Sequence, residues 1–259
     1  MRKNTEPART TPRDHVASLD KGLQVLTCFG RQHSRLTITE TARLTASTPA
    51  SARRALLTLQ ALGYLDSDGK RFWMQPRALL IAHAYLSSRP APSVAQPLLD
   101  GLSERTRESA SLGELLGDHA IIVARSTARR SLSSGLGIGS RLPAYCSALG
   151  RVLLAGLPHE AMARRIHAME RPPLTPHTET DAGRIVELIG RCRDEGFASN
   201  EGELEQGVRS MAVPVFSRTG ERVAALAIAM RTERMERAAF RETFLPALRR
   251  ASEQLTRRL

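Results

Sequence analysis

Cysteine is scarce: Cys28, Cys146 and Cys192 are the three in 259 residues, far apart and odd in number. That excludes a disulfide framework and fits no zinc spacing, which points to the reducing cytoplasm. Long apolar runs are missing too. None reaches the roughly 18 residues needed to span a bilayer, so no membrane partner is expected. Residues 1–13 are polar and lack the apolar stretch of a secretory signal, so a disordered arm is expected there. Catalytic signatures are equally thin. His159-Glu160-Ala161-Met162-Ala163 lacks the second histidine of a zinc-protease helix. Gly135-Leu136-Gly137-Ile138-Gly139 has the wrong glycine spacing for a dinucleotide fingerprint. Cys146 has no histidine beside it in the sequence. No catalytic residue, metal ligand or cofactor is therefore assigned, and no enzymatic activity is expected.

What the chain does have is length for two domains, an apolar share of 41% and a net charge of +12. The charge is uneven. Residues 1–89 carry 14 Lys and Arg against 6 Asp and Glu, and the rest carries 24 against 20. Two-thirds of the excess thus lies in the first third, which makes phosphate a candidate partner for that part. An arginine-favouring genome is the competing explanation, since Lys3, Lys21 and Lys70 are the only lysines. The motifs must decide.

Leu19, Leu23 and Leu26 recur at helical spacing with Val25 beside them, predicting a first helix that ends near Phe29-Gly30, with Gly30 as its stop. Thr37-Ile38-Thr39-Glu40 is a capping-box pattern and opens a short helix through Leu44. Thr48-Pro49 sets an N-cap residue before a proline at the first helical position. The helix that follows reaches Leu62, closed by Gly63, with Leu56, Leu57 and Leu59 expected in the core. Thr45-Ala46-Ser47 joins the two helices, and so short a turn fixes the angle between them. Pro49, Ala50, Ser51 and Ala52 are small, so this helix start can approach a groove closely. Arg53 and Arg54 come next, where recognition-helix residues meet base edges and phosphates; Thr48, Ser51 and Thr58 accompany them. A plain helical hairpin with solvated arginines competes with this reading. Residues 63–74 shift the balance, because they predict two short strands around Asp68-Gly69 with Lys70 and Arg71 at the tip. Helix, turn, helix and hairpin is the order of a winged helix-turn-helix.

Residues 76–88 are helical in pattern and apolar on most sides, so a partner between domains or subunits is expected to cover them. Ser87-Ser88-Arg89-Pro90-Ala91-Pro92 reads as a linker. The expected organisation is a winged helix-turn-helix over 14–75, a linker helix and hinge over 76–92, and a second domain over 93–259. A helix starts that domain near Ser93 or Gln96. Strand patterns follow at 111–116, 119–125, 131–136, 197–200, 208–215 and 222–230, with helices at 184–195 and 244–259. Sheet and helices around one core predict an α+β ligand-binding domain.

The ordered set of segments resembles the IclR-type transcription regulators over residues 14–255. The carrying segments are 17–23, 37–42 and 52–59 in the first domain, and 139–145, 150–155, 203–210 and 212–215 in the second. Arg53-Arg54 and Arg141-Leu142-Pro143-Ala144-Tyr145 are most similar to regulators of the β-ketoadipate route, responsive to protocatechuate or p-hydroxybenzoate. The resemblance implies a GAF-like effector domain, double-stranded operator DNA as partner, dimers or dimers of dimers, and no catalysis.

For the effector, residues 137–143 lead into a helix beginning near Cys146-Ser147, after Tyr145. A helix start offers unpaired N–H groups to a carboxylate, with Ser147 as cap and Arg141 as added charge. The resemblance puts Asn200, Glu203 and Ser210 on the border of the same cavity. The expected ligand is a small organic acid, an aromatic one by preference. Against this, Arg141 as a surface charge and Ser147 as a mere cap remain open. The chain also departs from the family at Ala225-Leu226-Ala227-Ile228-Ala229, where polar residues are common, which predicts a more apolar pocket floor. Two rivals stand: a ligand-independent DNA binder whose second domain only assembles subunits, and an enzyme fused to a DNA-binding head.

Overall fold

A computed structural model describes residues 14–128 and 135–259. The arm expected at 1–13 lies outside the described residues, as do 131–134 of the strand expected at 131–136; Gly135 and Leu136 are not strand. The chain divides into two compact units, Met1–Tyr85 and Leu86–Leu259.

The first unit holds α1 (Ala17–Cys28), α2 (Ile38–Leu44), α3 (Pro49–Ala61), β1 (Leu65–Ser67) and β2 (Phe72–Met74). Its core is Val25, Leu56, Leu59, Leu65 and Phe72, one apolar residue or two from each of α1, α3 and the hairpin. Leu36 closes it by pairing with Phe72 as an isolated bridge. The capping box forms as expected: Thr37 donates its N–H to Glu40 Oε2 at 2.8 Å, and Glu40 N–H reaches Thr37 Oγ1 at 3.2 Å. At the start of α3, Thr48 Oγ1 accepts the Ser51 N–H at 3.2 Å. Gly63, at φ +76°, ends α3 in a left-handed turn in which its N–H and that of Tyr64 reach back to Gln60 and Leu59.

Two expectations fail locally. Gly30 does not stop α1, because Phe29 already turns extended (φ −77°, ψ 143°). Leu57 is not in the core; at 39% exposure it points away from the side that Leu56 and Leu59 bury.

The helix α4 (Leu79–Ser88) follows a short 3-10 turn at Pro76–Ala78 and buries none of its residues. Where a linker was expected, only Arg89 is extended, and α5 (Pro90–Thr106) starts at once. Pro90 and Pro92 sit in its first turn, where the missing N–H has no intrahelical partner to lose. That is why a proline-rich stretch reads as loop yet folds as helix.

The second unit is α+β. Its sheet joins β3 (Ser109–Leu116), β4 (His119–Ser126), β5 (Arg141–Pro143), β6 (Ala198–Glu201), β7 (Val208–Phe216) and β8 (Arg222–Arg231). All pairs are antiparallel, in the order β5-β4-β3-β8-β7-β6. On one face pack α5 and α9 (Arg237–Thr256); on the other pack α6 (Ala148–Leu154), α7 (His159–Ala168) and α8 (Ala182–Glu195). The two-residue period of a strand divides β8 accordingly. Ala224, Leu226 and Ile228 join the α5/α9 core, and Ala225 and Ala227 face α6. The closing helix begins seven residues before the expected Phe244, since Phe240 anchors its polar first turns and Pro246 sits on an exposed position.

Gly150 sets how closely α6 lies on the chain before it. A Cβ there would stand 2.2 Å from Ala144 Cα and 2.5 Å from its carbonyl oxygen.

Candidate DNA-reading surface and ligand cavity

In the first unit, Thr48 spends its hydroxyl on capping, so Arg53 and Arg54 on the next turn are the groups that reach outward. Both are exposed. Among the described residues neither guanidinium makes a hydrogen bond or ion pair. Ser51 is half-buried beside them, and the Thr58 hydroxyl is turned back onto the Arg54 carbonyl at 2.8 Å. Lys70 and Arg71 are exposed at the wing, whose turn Asp68 organises by accepting their N–H groups at 3.0 and 2.7 Å. The Arg71 and Lys70 N–H groups hold the Asp68 carboxyl below the usual carboxylate range. Arg35, which sequence reasoning passed over, steadies the wing. Its guanidinium lies 4.4 Å over the Trp73 ring and 3.9 Å from the Asp68 carboxylate.

In the second unit a cavity of about 60 Å³ lies between α6 and the sheet. Of the expected residues, Ser147, Asn200 and Ser210 line it. Asn200 Nδ2 donates to the Cys146 carbonyl at 2.5 Å, and the Ser210 hydroxyl donates to Asn200 Oδ1. Ser147 caps α6 by accepting the Gly150 N–H at 3.1 Å while donating to the Pro143 carbonyl at 2.8 Å. Alanines 227 and 229 give the apolar floor expected from the sequence.

Four expected residues do not line this cavity. Arg141 is exposed on edge strand β5, with Nη2 3.3 Å from His119 Nδ1. Tyr145 is buried with its hydroxyl donating to the Pro172 carbonyl, and burial raises its phenol above the ordinary range. Burial likewise pushes the Cys146 thiol up to about 11. Glu203 is consumed by Arg151, which grips both carboxylate oxygens at 2.7 and 2.6 Å, the arginine being 2% exposed. That pair ties the residues after β6 onto α6.

The cation in the cavity is instead Arg125, with Ser111 opposite it in the β3–β4 register. Arg125 Nη1 donates to Ser111 Oγ at 2.7 Å, but its Nε is buried with no partner among the described residues. Burial lowers the pKa of this guanidinium, which still leaves it charged at neutral pH. Strict alternation along 119–125 would put Arg125 with Val123 on the α5/α9 side; it reaches the Ala120–Ile122 face because the β3–β4 register shifts at Leu112/Gly113, which the sequence does not show. Chemically, a charged donor without an acceptor, an amide–hydroxyl pair across from it and alanines between them suit a flat anion with a polar substituent.

Among the described residues no helix is long and apolar enough to cross a membrane. A winged helix-turn-helix carrying unpaired arginines on its second helix, with a separate α+β unit that encloses a cavity, defines a DNA-binding transcription regulator. The chain belongs to the IclR family: the IclR helix-turn-helix domain matches residues 18–69, and the bacterial transcriptional regulator IclR C-terminal domain matches residues 83–257. It is 37% identical over 247 residues to the Pca regulon regulatory protein of Pseudomonas putida, covering 95% of this chain and 85% of that one. With the p-hydroxybenzoate hydroxylase transcriptional activator of Acinetobacter baylyi it shares 35% over 258 residues, 97% of this chain and 94% of that one. The solved inducer-binding domain of a PobR double mutant from Acinetobacter, in complex with 3-hydroxybenzoic acid, superposes with a TM-score of 0.62 at 31% identity; it covers 65% of this chain and 98% of that one. Each of these proteins is a transcription regulator rather than an enzyme.

Proposed function

We propose that operator binding or activation by this regulator is controlled by a small aromatic acid held in the α6–sheet cavity. Its carboxylate pairs with Arg125, and a ring hydroxyl meets Asn200 and Ser210. The observation that carries this reading is the buried, unpartnered Arg125 Nε beside Ser111. The 3-hydroxybenzoic acid bound by the Acinetobacter domain supports the ligand class. On the DNA side, Arg53 and Arg54 read base edges, Thr48, Ser51 and Thr58 border the same groove, and Lys70 and Arg71 hold phosphate. Two heads meeting two half-sites require a homodimer or a dimer of dimers. The exposed Leu79, Leu80 and Ile81 of α4, at 68%, 63% and 51%, support that helix as the seam. The domain limits proposed are 14–75, 76–92 and 93–259, the last boundary falling inside α5, and the cytoplasm is the proposed location.

Calorimetry with benzoate, 3-hydroxybenzoate and 4-hydroxybenzoate, followed by operator binding with and without the tightest of them, is the test. An acid that binds and changes operator affinity about 5- to 150-fold fits an ordinary coupling of 1–3 kcal/mol. Binding of neutral or cationic compounds in place of acids would overturn the reading. One observation favours a second reading, in which the domain serves only assembly: about 60 Å³ is the space of roughly two waters, so an acid must displace lining residues such as Leu204, Glu205 and Val208. No rise in melting temperature with any acid would select that alternative.

A further inference from the structure

Away from the acid cavity, α8 and α9 leave between them a half-open groove of about 890 Å³. Its floor is apolar: Phe197, Met211, Phe240 and Leu245 are all buried there. Its rim is cationic. Arg237, Arg241 and Arg249 follow one another on α9 in steps of four and eight, with Leu245 filling the gap in the same row. Residues four apart are neighbours on a helix surface, so these four form a slanting row about 18 Å long along the axis. Arg191 adds a fourth cation from α8, against Glu195 and Glu242. Arg241 lies 4.8 Å over the Phe197 ring, which keeps its charge at the edge of the apolar floor. Arg249 reaches the last carbonyl of α8 at 3.0 Å and so bridges the far end.

We infer that this groove docks an acidic amphipathic helix of another protein, with apolar side chains on the Phe197–Phe240 floor and carboxylates along the arginine stripe. A small ligand would leave much of its surface wet in so open a channel, whereas a helix of three or more turns matches both the length and the four-residue step. The excess of positive charge on the rim selects an acidic partner over a neutral one. This surface lies at the β6 edge of the sheet, between α8 and α9, and shares no lining residue with the acid cavity, so it does not depend on the identity of the effector.

The full chain is titrated against a fluorescein-labelled helical peptide of about five turns, with leucine and glutamate rows spaced four residues apart, and anisotropy is read at low and high salt. Two control peptides carry lysine for glutamate or the same residues in scrambled order. The expected result is salt-sensitive binding of the acidic helix and little binding of either control. In the variant carrying Arg237→Glu, Arg241→Glu and Arg249→Glu, affinity for the acidic helix falls about tenfold or more and the lysine peptide now binds. Equal binding of all three peptides to the unaltered chain overturns the inference without any variant. So does a triple variant of unchanged melting temperature that still prefers the acidic helix. Sedimentation gives the last outcome: if the triple variant drops one assembly step and the peptide does the same to the unaltered chain, the groove belongs to a second copy, and the inference fails.

Discussion

Replacing Arg125 by methionine separates two effects of opposite sign. Among the described residues the buried Nε has no acceptor, and an unsatisfied buried donor costs about 1–3 kcal/mol. Methionine removes that penalty and keeps an unbranched chain in place, but it leaves the Ser111 hydroxyl, which is 4% exposed, without its 2.7 Å partner. That orphan costs about 1–3 kcal/mol in its turn, so the two effects nearly cancel and the net change in stability is small. Pairing Arg125→Met with Ser111→Ala removes both orphans and should raise the melting temperature above that of the single variant. Acid binding moves the other way. Losing a desolvated charge pair costs about 2–5 kcal/mol, a rise in Kd of about 30-fold or more. Calorimetry for affinity and thermal unfolding for stability read the two quantities separately. A variant that melts far below the parent yet binds hydroxybenzoates unchanged would show that Arg125 holds the sheet together and does not seat a ligand.

The DNA surface should divide by contact type. Arg53→Ala or Arg54→Ala is expected to relax base preference by about 1–3 kcal/mol, while Lys70→Ala or Arg71→Ala weakens all duplexes alike and lowers the salt slope by about one; footprints and salt titrations that do not separate the two pairs refute the assignment. Glu203→Gln leaves Arg151, 2% exposed, facing a neutral partner and should destabilise by about 3–5 kcal/mol in denaturant unfolding. A loss under 1 kcal/mol would mean that water reaches the pair. Gly150→Ala has no room, with Ala144 Cα at 2.2 Å from the new methyl, so either little folded protein or a lower melting temperature, from a loss of about 3 kcal/mol or more, is expected. A normal melt would show that α6 slides.

The head was nearly all legible in the sequence because its signals are local. A capping box, a Thr-Pro start and an Asp-Gly turn each act within four residues, and each forms. The failures lie where a neighbour decides. Gly30 had the right residue type for a helix stop, but Phe29 leaves the helix first. Pro90 and Pro92 look like a linker until their first-turn positions are known. The short α7 went unread, since Met162 and Ile166 are its only buried apolar residues. In the cavity, Ser147, Asn200 and Ser210 were legible, but the sequence points to Arg141 as the cation because it stands in the loop that leads into the helix start. Arg125 reaches the site through cross-strand pairing with Ser111, fourteen residues away, and no local pattern reports that.

The alternation along β8 has a consequence for how such a regulator changes its chemical preference. Leu226 and Ile228 hold the far side of the sheet together, while Ala227 and Ala229 are no more than the gauge of the chamber on the near side. Trading either alanine for glycine, serine or valine re-cuts the chamber by one or two methyls or a hydroxyl and leaves the opposite layer untouched. If the proposed function holds, new inducers are therefore accessible through single steps at two positions, with the scaffold bearing almost none of the disturbance.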